Sequence, residues 1–187
     1  MPLLNFGQPL GGITQVAYFV EDIQRSMKDF TARLNVGPWF VTAPFTPPEA
    51  LYRGRPTKIN LTLAVGFSGH MSFELIAQHN DAPSVYREVF EKRGYGFHHW
   101  AVPTDTFERE VDKYRSLGYE AAFTDRTPHG YRIAYMDTTR DLPGMIELVE
   151  CTESMEERYT KMYHASVGWD GSDPIRPPVR TRIAARS

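Results

Sequence analysis

Phe97-His98-His99-Trp100-Ala101-Val102 reads as a strand; Pro103-Thr104-Asp105 turns the chain, and Phe107, Val111, Tyr114 and Leu117 then recur at helical spacing. Gly118 stands where a helix-ending glycine belongs. The same grammar occurs earlier. Ile13-Thr14-Gln15-Val16-Ala17-Tyr18-Phe19-Val20 reads as a strand and Glu21-Asp22 as its turn, with Asp22 suited to cap a helix carrying Ile23, Met27, Phe30 and Leu34. Gly37-Pro38 closes that unit. The two segments superimpose without a gap, placing Gln15 over His99 and Phe30 over Tyr114.

Three strand-like runs follow each helix. After the first come residues 39–43, 58–65 and 71–77; after the second come 119–124, 131–136 and 145–150. The last strands also correspond, Phe73-Glu74-Leu75-Ile76 against Ile146-Glu147-Leu148-Val149. The expected class is α+β: two tandem βαβββ modules forming a cupped mixed sheet, with helices on its outer face. The chain divides into an N-terminal extension (1–11), a first module (12–80), a linker helix (81–96), a second module (97–151) and a C-terminal helix with a Pro/Arg-rich tail (152–187). Met155, Tyr159, Met162 and Tyr163 share one side of that last helix, and the tail beyond Val167 is expected to be loosely ordered.

Side chains alternate along a strand. Phe73 and Leu75 flank Glu74, Ile146 and Leu148 flank Glu147, and His98 and Trp100 flank His99; these flanking residues suit the face covered by helices. Gln15, Glu74, His99 and Glu147 then lie together on the concave face. Enclosed carboxylates are costly unless paired or bound to a cation. One imidazole nitrogen and three oxygens suit a divalent ion with positions left for substrate. His98 is assigned to the opposite face with a structural role, and Trp39 and Tyr18 to packing.

The segments Gly12-Ile13-Thr14-Gln15-Val16-Ala17, Phe73-Glu74-Leu75-Ile76, Gly96-Phe97-His98-His99-Trp100-Ala101-Val102 and Gly144-Met145-Ile146-Glu147-Leu148 resemble the vicinal oxygen chelate superfamily over about Gly12 to Cys151. That group includes glyoxalase I, methylmalonyl-CoA epimerase, extradiol dioxygenases and bleomycin-resistance proteins. The resemblance implies four metal ligands, Gln15, Glu74, His99 and Glu147, for one ion among Zn, Ni, Co, Mn, Fe and Mg. The ligand set resembles that of glyoxalase I, whereas the segment from Ser84 through His99 is more like the epimerases. It implies a metal-dependent isomerase or lyase that moves a proton next to a carbonyl or thioester through a metal-bound enolate or enediolate, with Glu74 or Glu147 as base. A non-catalytic small-molecule binder of the bleomycin-resistance type is the alternative. A dioxygenase is disfavoured, because those enzymes use two histidines and one carboxylate.

Further expectations concern the surroundings. Arg53, Arg55 and Lys58 lie in a long proline-rich loop suited to cover an anionic group, and His129, Tyr131 and Arg132 are candidates to line the cup. The net charge of -2 gives no reason to expect nucleic acid or a membrane surface as partner. A lone cysteine, Cys151, and the lack of a leader-like start or a long apolar run point to the cytoplasm. The expected partners are a small carbonyl or thioester compound and a second copy of the chain in a homodimer. Whether the modules close one cup within a chain or between two chains stays open.

Overall fold

The first strand, β1 (Gln15–Phe19), lies at the middle of the sheet because both its edges find partners: β6 (Met71–Gln78) runs parallel on one side and β7 (Gly96–Thr104) antiparallel on the other. The computed structural model describes residues 2–181. The remaining strands are β2 (Trp39–Phe45), β3 (Leu51–Tyr52), β4 (Arg55–Pro56), β5 (Leu61–Ser68), β8 (Ala121–Arg126), β9 (Arg132–Met136), β10 (Met145–Glu150) and β11 (Ile175–Arg176). The helices are α1 (Ile23–Leu34), α2 (Val85–Arg93), α3 (Phe107–Ser116) and α4 (Glu153–Ser166). All strands join one mixed sheet in the order β11-β2-β5-β6-β1-β7-β10-β9-β8-β3-β4. The halves β2-β5-β6-β1 and β7-β10-β9-β8 mirror each other about the β1–β7 seam, so the cup closes within one chain.

Local chemistry sets the helix ends. The Asp22 carboxylate accepts the Arg25 amide at 2.9 Å, and Asn35 stops α1 in the left-handed region, two residues before Gly37-Pro38. Ser84 caps α2 by accepting the Arg87 amide at 3.0 Å. Gly118, with φ +84°, follows α3 as its left-handed residue.

Helices α1 and α3 cover the convex face. Met27 packs with Leu75, Trp39 and Ala64, while Phe107 and Val111 pack with Leu148, Ile146 and Met136. Leu75 and Leu148 are wholly buried, each worth about 1.5–3 kcal/mol. The other two helices depart from the expected outer layer. Val85, Tyr86 and Val89 of α2 pack with Phe19, Ile76 and Tyr135 of the concave face. Met155, Tyr159 and Met162 of α4 pack with Phe40, Val65, Phe67 and Val149, also concave. The apolar stripe of α4 thus inserts into the cup and seals one end of it.

The tail after α4 is ordered as far as it is described, contrary to the loose segment expected. Ile175 and Arg176 add a parallel strand to β2, and the Ser154 and Thr181 hydroxyls are bonded at 2.8 Å. Residues 182–187 lie outside the described stretch. The proline-rich loop is no basic lid either. Leu51 and Tyr52 cross to the second half and pair with Thr124 and Phe123 of β8. The Arg53-Gly54 turn, both residues at positive φ, aims Arg53 at Glu88 (2.8 Å), Asp137 (2.7 Å) and Glu120 (2.5 Å). The loop is a clasp between the halves, and its central arginine is engaged. Among the described residues no helix is long and apolar enough to cross a membrane.

Candidate functional site

The sheet register brings the four donors together around two small residues. Ala17 lies between Glu74 and His99, and Ala101 lies between Gln15 and Glu147. The alanines are themselves equivalent in the two halves, and both are fully buried. With a methyl group at each central position, the longer flanking side chains lean inward without obstruction. Gln15, Glu74, His99 and Glu147 are all buried on the concave face, as the alternation predicts.

His98 is not where alternation puts it. The β1–β7 register shifts between Ala17, opposite His99, and Tyr18, opposite Phe97, which makes His98 the extra residue of a bulge. Its ring turns toward the cup, 4.9 Å from Tyr86, and its Nδ1 lies 3.0 Å from Nδ1 of His99. Burial, then the neighbouring His99, lowers the His98 pKa to about 3, so the ring is neutral and carries one N–H. Nε2 lies 3.2 Å from the Val85 carbonyl, which can only accept, so the N–H is on Nε2. Nδ1 of His98 must therefore accept, and Nδ1 of His99 must donate. His99 thus has Nδ1 tied to His98 and turns Nε2 toward the site. Both His98 nitrogens are engaged, so this second imidazole adds no ligand of the two-histidine dioxygenase kind.

His99 Nε2 is wholly buried and has no hydrogen-bond partner. It faces Oε2 of Glu147 at 3.3 Å and Oε2 of Glu74 at 3.7 Å. Two carboxylates crowded against one buried imidazole nitrogen are stabilised by a cation held among them. Burial, then the Glu147 carboxylate, pushes Glu74 up to about 7, which expresses the same crowding of negative charge. The Gln15 carbonyl oxygen accepts from Tyr159 at 2.9 Å while its amide nitrogen is unpartnered and buried. Because a phenol both donates and accepts, turning the amide over would keep the Tyr159 bond and present oxygen to the site.

These features fit a divalent ion. Two donors each about 2.1 Å from one cation stand about 3.0–3.4 Å apart, close to the His99–glutamate spacings. Among the described residues no three His, Cys, Asp or Glu groups form a preassembled cage, so the donors are adjacent rather than closed about one point. The imidazole held by a second ring through its other nitrogen is the kind of support that metal-binding histidines use.

Glu74 and Glu147 line a cavity of about 260 Å³. Phe45, Leu61, Leu63, Phe123, Ile133 and Val149 make most of its wall apolar, and Pro178, Val179 and Arg180 of the tail help to close it. Of the candidates in the second half, His129 and Tyr131 line the cavity. Burial lowers His129 to about 4, so it is neutral there. Arg132 instead points outward, pairing with Glu150 at 2.8 Å and with Glu108 and stacking over Phe107. Trp39 packs under α1, and Tyr18 meets Phe30, as expected. Arg158 of α4 was overlooked, although it is buried and lines the cavity. Its signal was legible, since it falls between Met155 and Met162 on the apolar stripe.

Residues 14–135 match the sequence profile described as Glyoxalase/Bleomycin resistance protein/Dioxygenase superfamily. Among solved structures, a hypothetical protein from Bacillus halodurans C-125 is similar at TM-score 0.56 and 17% identity, over 76% of this chain and 95% of that one. Methylmalonyl-CoA epimerase from Mycobacterium tuberculosis is similar at TM-score 0.55 and 18% identity, over 79% and 93%. A variant of the Streptomyces coelicolor epimerase, in complex with 2-nitronate-propionyl-CoA, is similar at TM-score 0.52 and 17% identity, over 78% and 97%. At these identities the likeness is one of fold. No curated protein matches the chain by sequence.

Proposed function

The chain belongs to the glyoxalase/bleomycin resistance protein/dioxygenase superfamily, and from that premise we propose that it is a metal-dependent isomerase or lyase moving a proton next to the carbonyl of a small carbonyl or thioester compound. The observation that carries this reading is the buried, unpartnered Nε2 of His99 between two glutamates under an apolar cover. Gln15, Glu74, His99 and Glu147 would hold the ion. When bound, the ion polarises a carbonyl oxygen and acidifies the neighbouring C–H bond.

The chain's own groups do the rest. Glu74 and Glu147 come from equivalent strands of the two halves, so they address the cavity from opposite sides of the β1–β7 seam. One carboxylate takes the proton from the α carbon and the other stands ready to return one, which is what an isomerisation or epimerisation requires. The apolar wall keeps bulk water from quenching the enolate. His98 fixes the orientation of His99 throughout. That the epimerase neighbours carry a thioester in their names supports this substrate class.

The largely apolar chamber also suits a non-catalytic binder, and one experiment separates the two. Metal-loaded protein is incubated in D2O with a panel of small 2-hydroxy ketones, 2-oxo acids, hemithioacetals and acyl thioesters, and C–H to C–D exchange is followed by NMR. The proposal expects exchange in at least one compound, slowed about 10²–10⁴-fold by Glu147→Gln or Glu74→Gln. Bound metal with no exchange across the panel would overturn it in favour of sequestration.

A further inference from the structure

Arg158 is only 6% exposed, yet its Nε has no hydrogen-bond partner. It projects from α4 into the wall of the cavity that Glu74 and Glu147 also line, lies 5.6 Å over the Tyr159 ring, and has the Tyr131 hydroxyl beside it. Desolvation opposes its charge, but a guanidinium stays protonated, so a full positive charge sits inside an apolar chamber. Among the described residues it makes no direct ion pair. Glu74 is the carboxylate whose field it feels, and Glu74 belongs to the donor set. Asp125, also on the wall, is held instead by the Glu49 amide at 3.0 Å. A dication would neutralise the two glutamates and leave Arg158 without a counter-ion. Uncompensated buried charge is strongly unfavourable, so its retention calls for an anion supplied from outside.

We propose that Arg158 anchors the carboxylate of a small organic acid, and that this chain's substrate or ligand is such an acid with a short apolar body. The planar fork of a guanidinium matches a carboxylate in two parallel hydrogen bonds. A volume of about 260 Å³ falls below the roughly 300–1,000 Å³ of pockets for drug-sized ligands, so a compound of about ten non-hydrogen atoms fills it. Helix α4 lies beyond the stretch matched to the superfamily, so this anchor comes from the chain's C-terminal segment. The proposal shares its chamber with the proposed function and names its substrate class, but it concerns binding and stands apart from the proton transfer.

Calorimetric titration of the full chain with butyrate, hexanoate, 2-oxohexanoate and 2-methylsuccinate, each against its neutral methyl ester, is the test. At least one acid is expected to bind tighter than its ester. Arg158→Met is expected to weaken that acid about 10- to 100-fold, the range for losing a charged hydrogen bond, and Arg158→Lys to fall between. Arg158→Met is also expected to melt at the same or a higher temperature, because an apolar side chain replaces an unpaired buried charge. A structural arginine would give the opposite, a lower melting temperature. Equal binding of acids and esters, or an acid affinity unchanged in Arg158→Met, overturns the proposal. Metal content and deuterium exchange, measured on the same variant, report separately on the proposed function.

Discussion

Replacing His98 by leucine tests the relay of hydrogen bonds behind the site without touching a donor. The substitution removes the acceptor for the His99 Nδ1–H, 3.0 Å away, and the donor to the Val85 carbonyl at 3.2 Å. An orphaned buried polar group costs about 1–3 kcal/mol, so two would cost about 2–6 kcal/mol. Leucine regains about 1.5–3 kcal/mol by filling the wholly buried site with apolar surface. The difference runs from a gain of about 1 kcal/mol to a loss of about 4.5 kcal/mol, a melting temperature between about 4 °C higher and about 18 °C lower for a chain of this size. The diagnostic effect is on the metal. With Nδ1 unsupported, the His99 ring loses its fixed tautomer and orientation, and affinity should fall about 10- to 100-fold, the usual effect of removing such support. Competition against a chromophoric chelator, for wild type and His98→Leu, reads this directly. An unchanged affinity in a folded His98→Leu protein would show that His98 does not orient His99, and the tautomer argument would fail.

Two further outcomes follow from particular contacts. Ala101→Leu is expected to abolish metal binding while costing about 1–3 kcal/mol of stability, because the new side chain fills the space between Gln15 and Glu147; chelator competition together with melting checks both. The Arg53 clasp is expected to weaken in acid. Its hydrogen bonds with Arg53, Lys92 and Tyr52 outweigh burial and hold Glu88 down to about 2 against an ordinary 4.5. A depressed carboxylate contributes stability that is present above pH 4.5 and lost as pH falls through 2. Stability measured between pH 5 and 2 should therefore fall more steeply for wild type than for Glu88→Gln, and parallel curves would contradict the clasp.

The convergence of Gln15, Glu74, His99 and Glu147 on one face was legible because two periodicities are written in the residues themselves. Alternation placed Glu74 and Glu147 opposite Phe73, Leu75, Ile146 and Leu148, and the ungapped correspondence of Gln15 with His99 placed the halves in register. What escaped depends on pairing, which no single segment encodes. The bulge that turns His98 inward exists only because β7 has one residue more than β1 at that point. The stripe Met155, Arg158, Tyr159, Met162 shows that α4 buries a face, but not that the face enters the cup. The tail and the loop around Arg53 are polar and proline-rich, which reads as exposed. Their order comes from partners far along the chain, β2 in one case and Glu88, Glu120 and Asp137 in the other.

The central claim is that the two halves of one chain focus Gln15, Glu74, His99 and Glu147 on a single cation. Titration of metal-stripped protein with Zn²⁺ or Co²⁺, read as stoichiometry, tests it most directly beside His99→Ala and Glu147→Ala. One tightly held ion per chain, lost or greatly weakened in both variants while they remain folded, is the predicted result. No tight site in the wild type, or a stoichiometry and affinity that both variants retain, would contradict it.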